Sequence, residues 1–263
     1  MYVAMTIAGS DPSGGAGIQA DLKTFHQRGV FGTSVITLVT VQNTQKVSDI
    51  AMISPDLVRK QIEAVLEDIP PAAAKTGALG NKEVVRLVAE KAKDFSFPLV
   101  VDPVMISKQG SPLIDEDARS TLAETLLARA FLITPNLHEA GELAQMKVRD
   151  LESMEKAGRI IAEKGAYAVL IKGGHLEVEA IDLLYYDGKI RHYSAPRINT
   201  RHTHGTGCTY SACITAELAK GYKLEDAVGR AKRFITLAIE TNPGLGKGSG
   251  PVNHFADTEE GDP

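Results

Sequence analysis

Short apolar runs, mostly β-branched, recur along the chain and alternate with amphipathic segments of helix length. Residues 3–8 form such a run and are followed by a predicted helix over 18–28; residues 34–41 form another, followed after Pro55 by 57–66. The pairing repeats with 72–77 and 83–93, with 99–103 and 116–128, and with 131–136 followed by 139–144 and 152–164. A last run follows at 168–175. Alternation at this spacing restricts the chain to an α/β fold, with a mostly parallel central sheet and helices on both faces. One segment departs from it. Residues 181–186 and 190–194 flank Asp187-Gly188, which predicts a small β-hairpin. No repeat and no long linker interrupts the pattern, so one domain is expected over 1–256. Residues 257–263, acidic and without apolar side chains, are expected to form a disordered tail.

Charge narrows the function. The formal net charge is −4, with 24% charged residues, so the chain lacks the basic footprint of a nucleic-acid binder. No apolar run reaches the ~20 residues of a membrane span, and the first residues lack a signal peptide's charged start and cleavage site. A cytoplasmic protein without membrane or nucleic-acid partners is expected.

The stretch Asn199-Thr200-Arg201-His202-Thr203-His204-Gly205-Thr206-Gly207-Cys208-Thr209 precedes an apolar run over 210–219. A glycine turn opening such a helix presents unpaired N–H groups and the positive end of the helix dipole. That is an anion site, commonly filled by phosphate. Cys208 stands where a helix N-terminus lowers a thiol's pKa, so a thiolate is expected there. The plainer alternative is a glycine turn before a buried helix, with Cys208 as a small apolar residue. Cys208 and Cys213 lie five apart in that helix, point apart, and are expected as free thiols.

A second glycine-dense loop spans 9–17. Its Gly15-Ala16-Gly17-Ile18-Gln19-Ala20 matches the dinucleotide fingerprint G-x-G-x-x-A, but the ribose needs an acid about 20 positions on. None occurs between Asp21 and Asp49. Asp11 and Asp21 flank the loop and read equally as ordinary turn or helix-start carboxylates.

Other polar residues end predicted strands: Gln42, Thr76-Gly77, Asp102-Pro103, Thr134-Pro135-Asn136 and Lys172-Gly173-Gly174. In a parallel sheet these ends face one crevice. Carboxylates (Asp102, Glu139), a lysine (Lys172) and a glycine anion hole are the parts of phosphoryl transfer. That chemistry needs Mg²⁺ on hard oxygens, a cation on the phosphates and a base near the acceptor hydroxyl. Each part has a structural counterpart. Asn136-Leu137-His138-Glu139 also reads as a helix capping box, Lys172 as a strand end, and Asp102 as a turn start.

These motifs together carry a resemblance. Residues 8–23 (AGSDPSGGAGIQADLK), Val41-Gln42-Asn43-Thr44, Asp102-Pro103-Val104-Met105, Thr134-Pro135-Asn136-Leu137-His138-Glu139-Ala140, Lys172-Gly173-Gly174-His175 and His202-Thr203-His204-Gly205-Thr206-Gly207-Cys208-Thr209 resemble the hydroxymethylpyrimidine/phosphomethylpyrimidine kinases of thiamine biosynthesis. These are a branch of the ribokinase-like superfamily. The resemblance implies a ribokinase-like fold and MgATP-dependent phosphorylation of 4-amino-5-hydroxymethyl-2-methylpyrimidine and then of its monophosphate. It implies that Gln42 bonds the aminopyrimidine, with Asp21, Ala16 and Val104 lining the pocket. Asp102, Thr134 and Glu139 would serve the metal and phosphate region, with Lys172, Asn136, Thr206 and Lys232 toward the nucleotide phosphates. Gly205, Thr206, Gly207 and Cys208 would form the catalytic anion hole, with Cys208 as base where most of the superfamily carries Asp. Homodimers are common in the family. Ala78, where many relatives carry methionine, departs from the pattern at the pocket floor. The competing readings are a pyridoxal or pyridoxine kinase of the same superfamily, a nicotinamide-dependent oxidoreductase using the first glycine loop, and a non-catalytic module that senses thiamine precursors.

Overall fold

The computed structural model describes residues 1–106, 110, 113–174 and 179–256. Its strands are β1 (Val3–Ser10), β2 (Phe31–Gln42), β3 (Val47–Met52), β4 (Ala73–Thr76), β5 (Leu99–Val101), β6 (Leu132–Ile133), β7 (Ala168–Ile171), β8 (Glu179–Tyr186) and β9 (Lys189–Pro196). They form one sheet in the order β3-β2-β1-β4-β5-β6-β7-β8-β9. From β2 to β7 the neighbours run parallel, whereas β3, β8 and β9 pair antiparallel at the two edges. The parallel centre is buried on both faces, which is why β4, β5, β6 and β7 carry no polar alternation.

The helices are α1 (Gly17–Gln27), α2 (Pro55–Asp68), α3 (Lys82–Lys91), α4 (Glu116–Thr121), α5 (Leu137–Ala144), α6 (Leu151–Glu163), α7 (Thr206–Ala219) and α8 (Leu224–Glu240). Helices α2 to α6 bury one apolar cluster against the sheet, built around Met5, Ile7, Val101 and Ile133. Helices α1, α7 and α8 bury another against the opposite face, around Ala4, Phe25, Val100 and Leu132. The helix expected over 116–128 is shorter than its pattern. After α4 the chain widens into a π turn over Leu122–Leu126 and tightens into a 3₁₀ turn over Leu127–Arg129.

The expected hairpin is β8–β9. Asp187 (φ 52°) and Gly188 (φ 69°) both take left-handed backbone angles at its tip, as a type I′ turn demands. Strand β3 was not foreseen. It is an antiparallel edge strand whose side chains are mostly exposed, so its sequence carries too little apolar alternation to read. The chain order reverses beside β1, whose neighbours are β2 and β4. Ligands of open α/β sheets bind beyond the carboxyl ends of strands at such a reversal. The tail over 257–263 and His175 lie outside the described residues.

Candidate active site

A cavity of about 650 Å³ opens over the carboxyl ends of the parallel strands. Gln42, Ala16, Asp21 and Val104 line it, as do Lys172, Asn136 and Lys232; Asp102, Glu139 and the turn Gly205-Thr206-Gly207-Cys208 border it as well. Thr134 is 1% exposed and reaches this space through Asp102, to which its hydroxyl donates at 3.3 Å. The sequence-derived set is thus brought to one place by strands that are far apart in the chain.

The two glycine loops differ in what their amides do. In the first, the Asp11 carboxylate accepts from the N–H groups of Ser13 (2.9 Å), Gly15 (3.2 Å) and Ala16 (2.9 Å), and from the Ser13 hydroxyl. Those amides already have an acceptor, so the loop cannot cradle a pyrophosphate as the dinucleotide fingerprint would. In the second, α7 starts after Gly205 with no side chain capping it. The Thr206 N–H donates to the Thr203 carbonyl at 3.3 Å, while Gly207 and Cys208 border the cavity at the positive end of the helix, where an anion is favoured. Gly205 sits at φ 76° with its Cα against the Gly15 carbonyl, where any side chain would collide. The two loops are therefore in backbone contact.

Below the second loop lies a buried ion pair that sequence analysis missed. Lys75, in the middle of β4, donates to Asp21 Oδ1 at 2.7 Å, and both side chains have no exposure. Asp21 Oδ2 accepts from the Thr6 hydroxyl at 2.6 Å. Both carboxylate oxygens are thus engaged, and Asp21 lines the cavity from a position held by Lys75 and Thr6. The signal was present: a lysine inside an apolar strand must find a buried counter-charge. Burial works against the Lys75 ammonium, but Asp21, then Cys208 and Asp102, outweigh it and leave its pKa raised.

Cys208 corrects the expectation of a thiolate. Burial is the main cause pushing its thiol up to about 12; Asp21 and Asp102 add to this, while Lys75 and the Gly17 amide work against it. The helix N-terminus does not win here because the sulfur faces two carboxylates in a low-dielectric pocket. Both cysteines are free, as expected.

Beside Gly207, Lys172 pairs with Asp102 Oδ1 at 3.1 Å, and Ser211 donates to Asp102 Oδ2 at 3.2 Å. Burial disfavours the Lys172 charge, but Asp102 and Glu139 override it and raise its pKa. Glu139 is 5% exposed. Burial first, opposed by Lys172 and reinforced by Asp102, lifts its carboxyl to about 7. It also completes the capping box: Asn136 N–H donates to it at 2.8 Å, and Asn136 Oδ1 accepts from the Glu139 N–H at 2.9 Å. The structural and site roles of Glu139 coexist. Asn136 directs its side-chain oxygen to the helix, so a nucleotide would meet other atoms of this residue.

Lys232, expected toward the nucleotide phosphates, lines the cavity with part of its ammonium engaged by the protein. Its ammonium donates to Asp182 Oδ2 and to the Ala180 carbonyl, each at 2.7 Å, and Asp182 Oδ1 accepts from the Gly173 N–H at 2.9 Å. It ties the β8–β9 hairpin to the loop that carries Lys172.

The strand order, with antiparallel edges and a glycine anion turn opening a late helix, defines a ribokinase-like small-molecule kinase. The chain belongs to the phosphomethylpyrimidine kinase family, whose model matches residues 11–253. It is 50% identical to the hydroxymethylpyrimidine/phosphomethylpyrimidine kinase of Haemophilus influenzae over 96% of both chains. Among solved structures, it resembles the phosphomethylpyrimidine kinase of Clostridium difficile, with 43% identity and a TM-score of 0.81 over 91% of this chain and all of that one. It also resembles the pyridoxal kinase of Staphylococcus aureus in complex with AMP-PCP and pyridoxal. There the identity is 36% and the TM-score 0.89, over 98% of this chain and 96% of that one. No helix among the described residues is long and apolar enough to cross a membrane.

Proposed function

We propose that the protein transfers the γ-phosphoryl group of ATP to the hydroxymethyl group of 4-amino-5-hydroxymethyl-2-methylpyrimidine, and then phosphorylates the monophosphate to the diphosphate, in thiamine biosynthesis. The observation that carries this reading is the single cavity that joins Gln42 to Lys172 and to the uncapped start of α7. Gln42 lines this cavity, and its side-chain amide has the donor and acceptor chemistry that an aminopyrimidine edge complements. Lys172 and the first-turn amides of α7 offset the negative charge of the transferring group, which is most of what a protein contributes to phosphoryl transfer. Cys208 lies beside that turn to take the hydroxyl proton.

The donor set suits Mg²⁺. Asp102 and Glu139 are buried carboxylates that repel one another, and Mg²⁺ needs only one or two such oxygens because it keeps waters of its own. When bound it would neutralise phosphate charge. Among the described residues no group of three or more His, Cys, Asp or Glu side chains gathers to hold a metal alone. The same reading has the enzyme work in the cytoplasm as a homodimer, which sedimentation velocity checks.

The test is ATP consumption by purified protein with hydroxymethylpyrimidine, its monophosphate, pyridoxal and pyridoxine. The pyrimidine should exceed either B6 vitamer at least about tenfold in kcat/KM, because the wrong ligand leaves buried polar groups unpaired. Gln42→Leu should raise the pyrimidine KM with little change in melting temperature. Equal or better turnover of pyridoxal would favour the second reading, a pyridoxal kinase, which the likeness to the Staphylococcus enzyme supports.

A further inference from the structure

We propose that Thr44 and Gly248 are positioning residues that set the distance between the pyrimidine end of the site and its anion turn. This rests on the reading of Gln42 as the pyrimidine ligand and of residues 205–208 as the phosphate turn. The two ends are far apart in the chain: Gln42 closes β2, and Gly205 immediately precedes α7. Transfer needs the acceptor hydroxyl within near-attack range of the phosphorus, so an error of about 1 Å in that distance lowers the rate steeply.

The distance is held from behind, by the segment that follows α8. Residues 244–250 belong to no helix or strand, so the groups they bond decide where they lie. The Gly248 N–H donates to Thr44 Oγ1 at 3.2 Å, and the Ser249 N–H donates to the Thr44 carbonyl at 2.9 Å. Thr44 stands two residues beyond Gln42. The next residues of the segment turn to the other end of the site. Ser249 Oγ donates to the Arg201 carbonyl at 2.9 Å. The Gly250 carbonyl accepts from the His204 N–H at 3.0 Å, and the Val252 N–H donates to the His204 carbonyl at 3.4 Å. Both backbone groups of His204, the residue before the anion turn, therefore bond this segment. Its ring reaches the first glycine loop, with Nε2 2.8 Å from Asp11 Oδ2.

The far end of the segment is fixed to the helices. The Asn253 N–H donates to the Ala238 carbonyl of α8 at 2.8 Å, and His254 Nε2 lies 3.1 Å from the Thr209 hydroxyl in the first turn of α7. Residues 248–252 thus bridge from Thr44 to His204 with a backbone bond at each end. The fit at Thr44 is close: a side chain at Gly246 or Gly248 would collide with Thr44, and at Gly248 it would meet the Thr44 backbone carbonyl. Among the described residues, neither Thr44 nor 248–252 lines the cavity. Their effect on the reaction runs through Gln42 and the anion turn.

The experiment reads two rates from full-length protein with ATP: transfer to hydroxymethylpyrimidine, and hydrolysis to water without an acceptor. Only the first depends on the distance from Gln42 to the turn. Gly248→Ala pushes the Thr44 end away and leaves the His204 pairing in place. It should lower kcat for transfer about tenfold or more, with hydrolysis and both KM values within about twofold. Thr44→Val keeps the shape and removes the acceptor of the Gly248 N–H. It should lower transfer about three- to tenfold, the scale of one net hydrogen bond, and Thr44→Ser should restore it. Unchanged transfer in Thr44→Val overturns the proposal, and so does an equal loss of transfer and hydrolysis, the result of a merely structural contact. Should Gly248→Ala fail to fold, the two Thr44 variants decide alone. A wild-type protein that turns over only B6 vitamers defeats the underlying function instead, and the same ratio taken with pyridoxal still judges the spacing.

Discussion

Cys208→Ala should lower kcat by about 10²- to 10⁴-fold, the range of general-base assistance, with substrate KM nearly unchanged. The burial that pushes this thiol up to about 12 adds a signature. A base whose pKa lies far above the assay pH gains roughly tenfold in its active form per pH unit. Wild-type kcat should therefore climb from pH 7 to pH 9, and Cys208→Ala should flatten that climb. Cys208→Ser should not rescue, because a hydroxyl is a weaker base still. Cys208→Asp should recover part of the loss, limited by the Asp21 and Asp102 carboxylates that already crowd the sulfur. Iodoacetamide should reach the half-buried Cys208 before the fully buried Cys213, both being protonated at neutral pH. Nearly full kcat in the alanine variant would make Cys208 a packing residue and leave catalysis to positioning and the anion hole.

Glu139→Gln should separate charge from capping. A glutamine oxygen can still accept from the Asn136 N–H, so the capping box survives and the melting temperature should hold. The lost charge should lower kcat about a hundredfold or more, the scale of a missing electrostatic contact to a transition state. The pH dependence carries its own sign. The folded-state value of about 7 lies above the ordinary 4.5, so on raising the pH the unfolded chain loses this proton first. The stability this group contributes is present below about pH 4.5 and is lost as the pH rises toward 7 and beyond. In metal-free buffer, Glu139→Gln should remove that decline and match or exceed wild-type stability at pH 8. Unimpaired turnover across the pH range would reduce Glu139 to its capping role.

The fold was legible because its signal is local. Apolar runs such as 99–101 and 168–171 and caps such as Asn136 announce themselves in a few residues. The positions of Gln42, Asp102 and Lys172 followed from the rule that strand ends share a crevice. What escaped was set by partners far along the chain. The Asp11 carboxylate looked like any turn residue until His204 met it, 193 positions away. Lys75 went unremarked within an apolar strand because its counter-ion on α1 lies 54 positions before it. The Cys208 thiol misled for the same reason: the helix end that favours a thiolate is visible in sequence, whereas the two carboxylates facing the sulfur are not.

The arrangement of α1, α7 and α8 on one face of the sheet also governs how the chain comes off the ribosome. Strands β1, β4, β5 and β6 can pair once residue 133 has emerged, and α2 to α6 can cover one face soon after. The other face, with Ala4, Ala73, Val100 and Leu132, keeps only α1 as cover until residues 206–240 are made. From the making of residue 133 until α7 and α8 are made, the nascent protein carries a largely bare apolar sheet face, the kind of surface that folding helpers bind and that aggregates when left alone. Chains that stop short of α7 should therefore be insoluble as well as inactive.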